Sequence, residues 1–221
     1  MGGTFPCAAR DLNSKHGGAY PGAEAPTRGL CRAVHTLAYK PPVGPRWIHE
    51  IKHDGYRLIV CRRGGRVRLF TRRGYDWTDR FPLIRQTAEA LTVDATIDGE
   101  AVVCNSAGVG DFELMHSREH DRRAILYAFD LLELDGHDQR ALALEERKAR
   151  LAGLLRRVPE GIQYNDHLDG DGAEVFEHAC ELGLEGIVSK DRKRPYRSGV
   201  AKHWLKIKNP KAQGTLRFKE P

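Results

Sequence analysis

Lys52-His53-Asp54-Gly55 lies inside the run Trp47-Ile-His-Glu-Ile-Lys-His-Asp-Gly-Tyr-Arg57. A lysine among apolar strand residues becomes a nucleophile when its surroundings lower its pKa. The plainer alternative is an edge-strand lysine ahead of a turn, and K-x-D-G alone recurs by chance. Further along, Glu100 and Glu185 each stand beside a glycine in a strand-like segment. A carboxylate there holds a ribose hydroxyl or a hard divalent cation such as Mg²⁺; salt bridges to local arginines are the alternative. Trp204, Leu205 and Ile207 alternate with Lys206 and Lys208, the pattern of a strand with one charged face. Nucleotidyl transfer asks for a nucleophile, cations on the phosphate oxygens and rigid positioning. Lys52 with Lys206 and Lys208 supplies the first two, unless the latter pair is only a solvated strand face.

The elements that must position these groups alternate between strands and helices. Residues 1 to 30 are rich in Gly, Pro, Ala and Ser, lack a periodic apolar face and read as disordered. Cys31 to Tyr39 gives a short element. Trp47 to Phe70 reads as β-structure, with Gly64-Gly65 as a two-residue hairpin turn. Asp79 is placed to cap a helix whose apolar stripe is Phe81, Ile84, Ala88 and Leu91. Thr96 to Cys104 and Ile125 to Leu134 are strands. Glu145 to Arg157 and Ala173 to Leu182 are amphipathic helices, the second ended by Gly183. Strands follow at Gly186 to Lys190 and Trp204 to Lys208. Hairpins mixed with isolated helices point to an α+β fold rather than a doubly wound one.

Charge is distributed unevenly along the 221 residues. From Ile187 to Pro221 there are eleven Lys and Arg against two Asp and Glu, a net +9, which leaves −3 for the remainder of a +6 chain. A basic region at one end suits a polyanion such as nucleic acid or nucleotide phosphate. Five cysteines at 7, 31, 61, 104 and 180 form no C-x-x-C pair, which favours a reducing, cytoplasmic setting over a disulfide framework or zinc ribbon. No apolar run approaches a membrane span and no signal peptide is visible.

Six stretches then stand in a fixed order. They are the lysine run, Thr71-Arg72-Arg73-Gly74, Asp98-Gly99-Glu100, Ala128-Phe129-Asp130-Leu131-Leu132, Glu185-Gly186-Ile187-Val188-Ser189-Lys190 and Trp204-Leu205-Lys206-Ile207-Lys208. Together they resemble the motifs of the covalent nucleotidyltransferases. The likeness is greatest to the ATP-dependent DNA ligases, in particular the ligase domain of the bacterial end-joining Ligase D type, and runs from Trp47 to Pro210. It implies an α+β, ATP-grasp-like ligase core of two antiparallel sheets flanked by helices around a nucleotide cleft, using ATP and Mg²⁺ (or Mn²⁺). By this resemblance Lys52 takes up AMP, Glu50 accepts from the adenine amino group and Phe129 stacks on the base. Arg57 and Arg72 meet the nucleotide and the 5′-phosphate of a nick, and Lys206 and Lys208 bind phosphate. Glu100 serves the ribose side and Glu185 the metal, so the two form the candidate metal pair.

The implied substrate is nicked or broken double-stranded DNA in repair or recombination, with a Ku-like end-binding protein or a separate OB-fold or polymerase partner and no membrane. The domain reading is 1–30 disordered, 31–210 adenylation domain and 211–221 basic tail. Only thirteen residues follow Lys208, so no OB-fold is expected in this chain. Two other classes remain open: an inactive paralogue that only binds nucleic acid, and an RNA ligase or capping-type nucleotidyltransferase.

Overall fold

In the computed structural model, which describes residues 32–212, the chain opens with β1 (Ala33–Leu37). The apolar run from Trp47 gives β2 (Trp47–Ile51), β3 (Tyr56–Arg63) and β4 (Arg66–Thr71), the last two joined through Gly64-Gly65. Then follow α1 (Pro82–Glu89), β5 (Ala95–Val102), α2 (Phe112–His116), a 3₁₀ turn at Asp121–Arg123, β6 (Ile125–Leu134) and β7 (His137–Asp138). The chain continues through α3 (Leu144–Leu155), β8 (Ile162–Tyr164), α4 (Gly172–Glu181), β9 (Gly186–Asp191) and β10 (Gly199–Lys208). The expected segments 1–30 and, beyond residue 212, the basic tail lie outside the described residues.

Two sheets result. The smaller has the order β1-β10-β9-β2, and the larger β4-β3-β5-β6-β7 with β8 also on β6. Their interiors are antiparallel; the β1/β10 and β6/β8 pairs at the margins are parallel. Each sheet buries its outer face under helices. Leu58, Val60, Ile97, Leu126 and Leu131 of the larger sheet pack with Ile84 and Ala88 of α1 and Leu151 and Leu155 of α3. On the smaller sheet Ile187 and Ile207 pack with Ala179 of α4. Between the sheets lie Phe129, Tyr196 and Trp204, and this inner space carries the charged groups.

Two local expectations change. Asp79 does not cap α1: the N-cap is Phe81 with no side-chain cap, and Asp79 instead accepts from Arg85 at 3.1 Å. Pro82 at the first helical position already supplies a helical φ where no N–H is needed. Helix α2 was unforeseen, because five residues are too few to display a helical period. Its signal was Asp111, whose carboxylate accepts from Glu113 N at 2.9 Å and Leu114 N at 3.3 Å. Among the described residues no helix is long and apolar enough to cross a membrane.

Candidate active site

Lys52 stands just past the end of β2, where its backbone N–H donates to Gly186 O at 3.0 Å. That bond ties the lysine segment to the start of β9, and β9 in turn pairs with β10 through Gly186↔Lys208 and Val188↔Lys206. Strand alternation does the rest. Leu205 and Ile207 point out to α4, while Trp204, Lys206 and Lys208 share the inner face. The glycines of these motifs allow close backbone approach. A Cβ on Gly55 would lie 2.1 Å from Ala101 O, and one on Gly186, whose φ is +139°, would lie 2.0 Å from Ile207 O. Both would force neighbouring strands apart beside Lys52.

Two ammonium groups meet one carboxylate, and a third lies near enough to feel them. Lys52 Nζ donates to Glu185 Oε2, and Lys208 Nζ lies 3.4 Å from Glu185 Oε1. Burial, and then the charges of Lys208, Lys52 and Arg72, push Lys206 below the usual lysine range, with Glu185 offsetting part of this. Glu100 faces the cluster from β5 in the other sheet. Among the described residues its carboxylate accepts no hydrogen bond and joins no salt bridge. Burial pushes it up to about 7, against the pull of Lys52 and Arg57. A desolvated carboxylate without a cation partner suits a divalent ion or a ribose hydroxyl. Among the described residues no group of three or more His, Cys, Asp or Glu is placed to hold a metal alone. The donor set therefore fits Mg²⁺, which binds through one or two carboxylates plus substrate phosphates.

A second charged layer lies deeper. Glu50 is buried between Lys148 Nζ at 2.7 Å and Lys190 Nζ at 2.6 Å. Burial opposes its charge, but the two ammonium groups outweigh that and hold Glu50 below the ordinary carboxylate range. The Lys190 contact is an ion pair bent away from hydrogen-bond geometry. Lys190 Nζ also sits 4.4 Å above the Phe129 ring and 4.3 Å from that of Trp204. Phe129 packs edge-on against Trp204 and lies beneath the Arg57 guanidinium at 5.2 Å.

Arg57 forks onto Asp98 at 2.9 and 2.6 Å, and Tyr196 Oη donates to the same carboxylate at 2.9 Å. Burial works against the guanidinium charge, but Asp98 outweighs it and raises Arg57 above its usual range. Arg72 stands exposed at the end of β4, close enough to Lys206 to depress it.

The structure therefore places Lys52, Glu185, Lys206, Lys208, Arg72 and Glu100 around one opening, and Glu50, Phe129 and Arg57 behind it. Sequence reasoning did not assign Asp98, Lys148, Lys190, Tyr196 or Asn165. Asp98 and Lys190 lie inside the quoted motifs and carried a visible signal. Lys148, in an amphipathic helix, looked like any solvated helix lysine. A narrow recess of about 180 Å³ opens beside Lys52, bounded by Asp54, Asn105, Asp111, Phe112 and Glu185.

Compared with known proteins, the chain matches the family of the ATP dependent DNA ligase domain over residues 31–208. It is 37% identical over 208 residues to the multifunctional non-homologous end joining protein LigD of Pseudomonas aeruginosa, covering 92% of this chain and 24% of that protein. It is 34% identical over 169 residues to the SPbeta prophage-derived DNA ligase-like protein LigB of Bacillus subtilis, covering 74% of this chain and 61% of that one. Among solved structures it resembles a mycobacterial DNA ligase D complexed with ATP and MES, with a TM-score of 0.75 and 35% identity over 81% of this chain and 60% of that one. The Chlorella virus DNA ligase-adenylate, at 14% identity and a TM-score of 0.57 over 81% of this chain and 68% of that one, shares the fold.

Proposed function

This chain belongs to the ATP-dependent DNA ligase domain family, and from that premise we propose that Lys52 is its nucleophile and that the cleft loads AMP from ATP for the sealing of DNA strands. The observation that supports this most is the pairing of Lys52 and Lys208 with Glu185, with Lys206 beside them and the desolvated Glu100 opposite. In the free protein Glu185 pins Lys52 Nζ, and Glu185 Oε2 is the nearest acceptor for the ammonium proton. As a free amine, Nζ attacks the α-phosphorus of ATP. The N–P bond forms, the bridging P–O bond breaks, and pyrophosphate leaves with that electron pair. Lys206 and Lys208 offset the charge on the phosphate oxygens. Mg²⁺ or Mn²⁺ would add charge neutralisation there, held by Glu100 and Glu185. AMP then passes from Lys52 to a DNA 5′-phosphate, and a 3′-hydroxyl displaces it as the strand closes.

Phe129 is the ring that the family resemblance assigns to the base; in the free protein it is buried against Lys190, Trp204 and Arg57, which Asp98 fixes. Glu50 stays ionised and acceptor-only, which suits the amino group of adenine and opposes the O6 of guanine. Arg72, exposed beside Lys206, is positioned for the 5′-phosphate of a nick. The LigD relatives support a place in end-joining DNA repair, for which nicked or broken duplex DNA is the proposed substrate. This chain spans 24% of the Pseudomonas aeruginosa relative's length. A Ku-like end-binding protein suits the rest of that role.

The test is direct. The protein is incubated with Mg²⁺ and α-labelled ATP or GTP, denatured, and scored for protein-bound label. Acid-labile label is expected from ATP at least about tenfold above GTP, because mispaired buried polar groups cost roughly 1–3 kcal/mol. Lys52→Ala should abolish it and Lys40→Ala should not. Undiminished label in the Lys52 variant would remove this reading.

A further inference from the structure

The sheet ladder that orders β2 ends where the nucleophile begins. Lys52, His53 and Asp54 lie between the paired stretches of β2 and β3, and Lys52 N donates to Gly186 O. Beyond that point the His53 side chain ties the segment to its surroundings. Its ring lies flat on Tyr127, with centroids 3.8 Å apart and planes 8° off parallel. Its Nε2 is 3.1 Å from Asn165 Oδ1. Tyr127, on β6, stands directly across the sheet from Glu100 on β5, so the stack joins the lysine segment to the strand beside the one that carries the opposing carboxylate.

Asn165, just after β8, gathers the same stretch from the other side. Its Nδ2 points to Glu50 Oε2 at 3.4 Å and Ile51 O at 3.5 Å. Its backbone carbonyl accepts from Lys148 Nζ at 2.9 Å, and Lys148 also holds Glu50 Oε1. Both groups facing Nδ2 are acceptors only, so the amide nitrogen must turn to them and the amide oxygen to His53. His53 must therefore present an N–H at Nε2. Burial pushes His53 down to about 4, with Asn165 offsetting part of that, so this neutral form persists at neutral pH. Residues 50, 51 and 53 are thus all oriented by one side chain, and the Lys52 side chain between them reaches out to Glu185.

We propose that Asn165 and His53 form a positioning pair for Lys52, setting where its amine meets the α-phosphate of ATP. The inference rests on the reading of Lys52 as the nucleophile. Small misplacement of a reacting group costs rate rather than ground-state affinity, with a shift of about 1 Å worth up to about a hundredfold. The pair acts through Lys52 and touches no substrate.

The test is single-turnover AMP transfer to the protein from α-labelled ATP, measured across ATP concentrations. His53→Phe keeps the flat stack and loses the donor; Asn165→Ala loses the acceptor. Each should slow the saturated rate about tenfold or more and leave the half-saturating ATP concentration within about twofold. The double variant should be little slower than either single one, as expected for two groups sharing one contact. Thermal melting of each variant reports folding separately, and His53→Phe retains the ring packing should Asn165→Ala unfold. A melting loss with an unchanged saturated rate, or rates within twofold of wild type, overturns the pair. Absence of label in the wild-type protein removes the nucleophile reading and this inference together; label in the wild type with unchanged variants removes the inference alone.

Discussion

Glu100 carries the clearest pH dependence of any single residue in the cleft. Its folded pKa, raised to about 7 by burial, lies above the ordinary value of roughly 4.3. A carboxyl raised in this way contributes stability that is complete below its unfolded pKa and is lost as pH rises through the folded one. Glu100→Gln should therefore raise the thermal midpoint near pH 8 and change it little near pH 4. The neutral acid is also a poor cation ligand. Wild-type AMP transfer should climb as pH rises through neutrality, and the Gln variant should be slow and lack that step. Strand alternation and adjoining glycines made Lys52, Glu185, Lys206 and Lys208 candidates in the sequence, and the order of the six motifs, through its family resemblance, singled them out. The partners of Glu50 were not. Lys148 is 98 residues away along the chain and Asn165 is 115 away, and no local pattern encodes such meetings.

Arg147 and Asp130 bolt α3 to β6, with both side chains fully buried and the fork closing at 2.6 and 2.9 Å. Removing one member leaves a buried charge unpaired, which costs about 3–5 kcal/mol. Urea unfolding of Arg147→Ala should show a loss of that size. The double change Asp130→Leu with Arg147→Met should recover part of it, because no buried charge is then left unpaired, although the Arg147 bond to Leu142 O is still lost. At this scale β3 to β6 of the larger sheet were legible from apolar alternation, and α3 and α4 from their apolar stripes, whereas the short β7 and β8 were not. The parallel pairing of β1 with β10 was not, because it joins Ala33 to Gly199 across nearly the whole described chain. Asp79 shows the limit of a cap signal: the acid was present, but Pro82 set the helix start and Asp79 took Arg85 instead.

Across the whole molecule, two sheets turn their helix-free faces toward each other and concentrate cations at the opening near Lys52. The net +9 of residues 187–221 was legible as a preference for polyanions. That its inner lysines meet Glu185 while others face solvent required the β9/β10 register. Binding of nicked duplex DNA should weaken linearly in log salt, by about 0.9 per phosphate contact. Arg72→Ala should lower that slope by about one contact, read by fluorescence anisotropy at several salt concentrations. The most direct measurement of the central claim is the site of AMP attachment. After reaction with ATP and Mg²⁺ the protein is digested and its peptides are mapped by mass spectrometry. The account predicts AMP on Lys52 and on no other lysine; AMP on Lys206, Lys208 or Lys190 with Lys52 unmodified would contradict it.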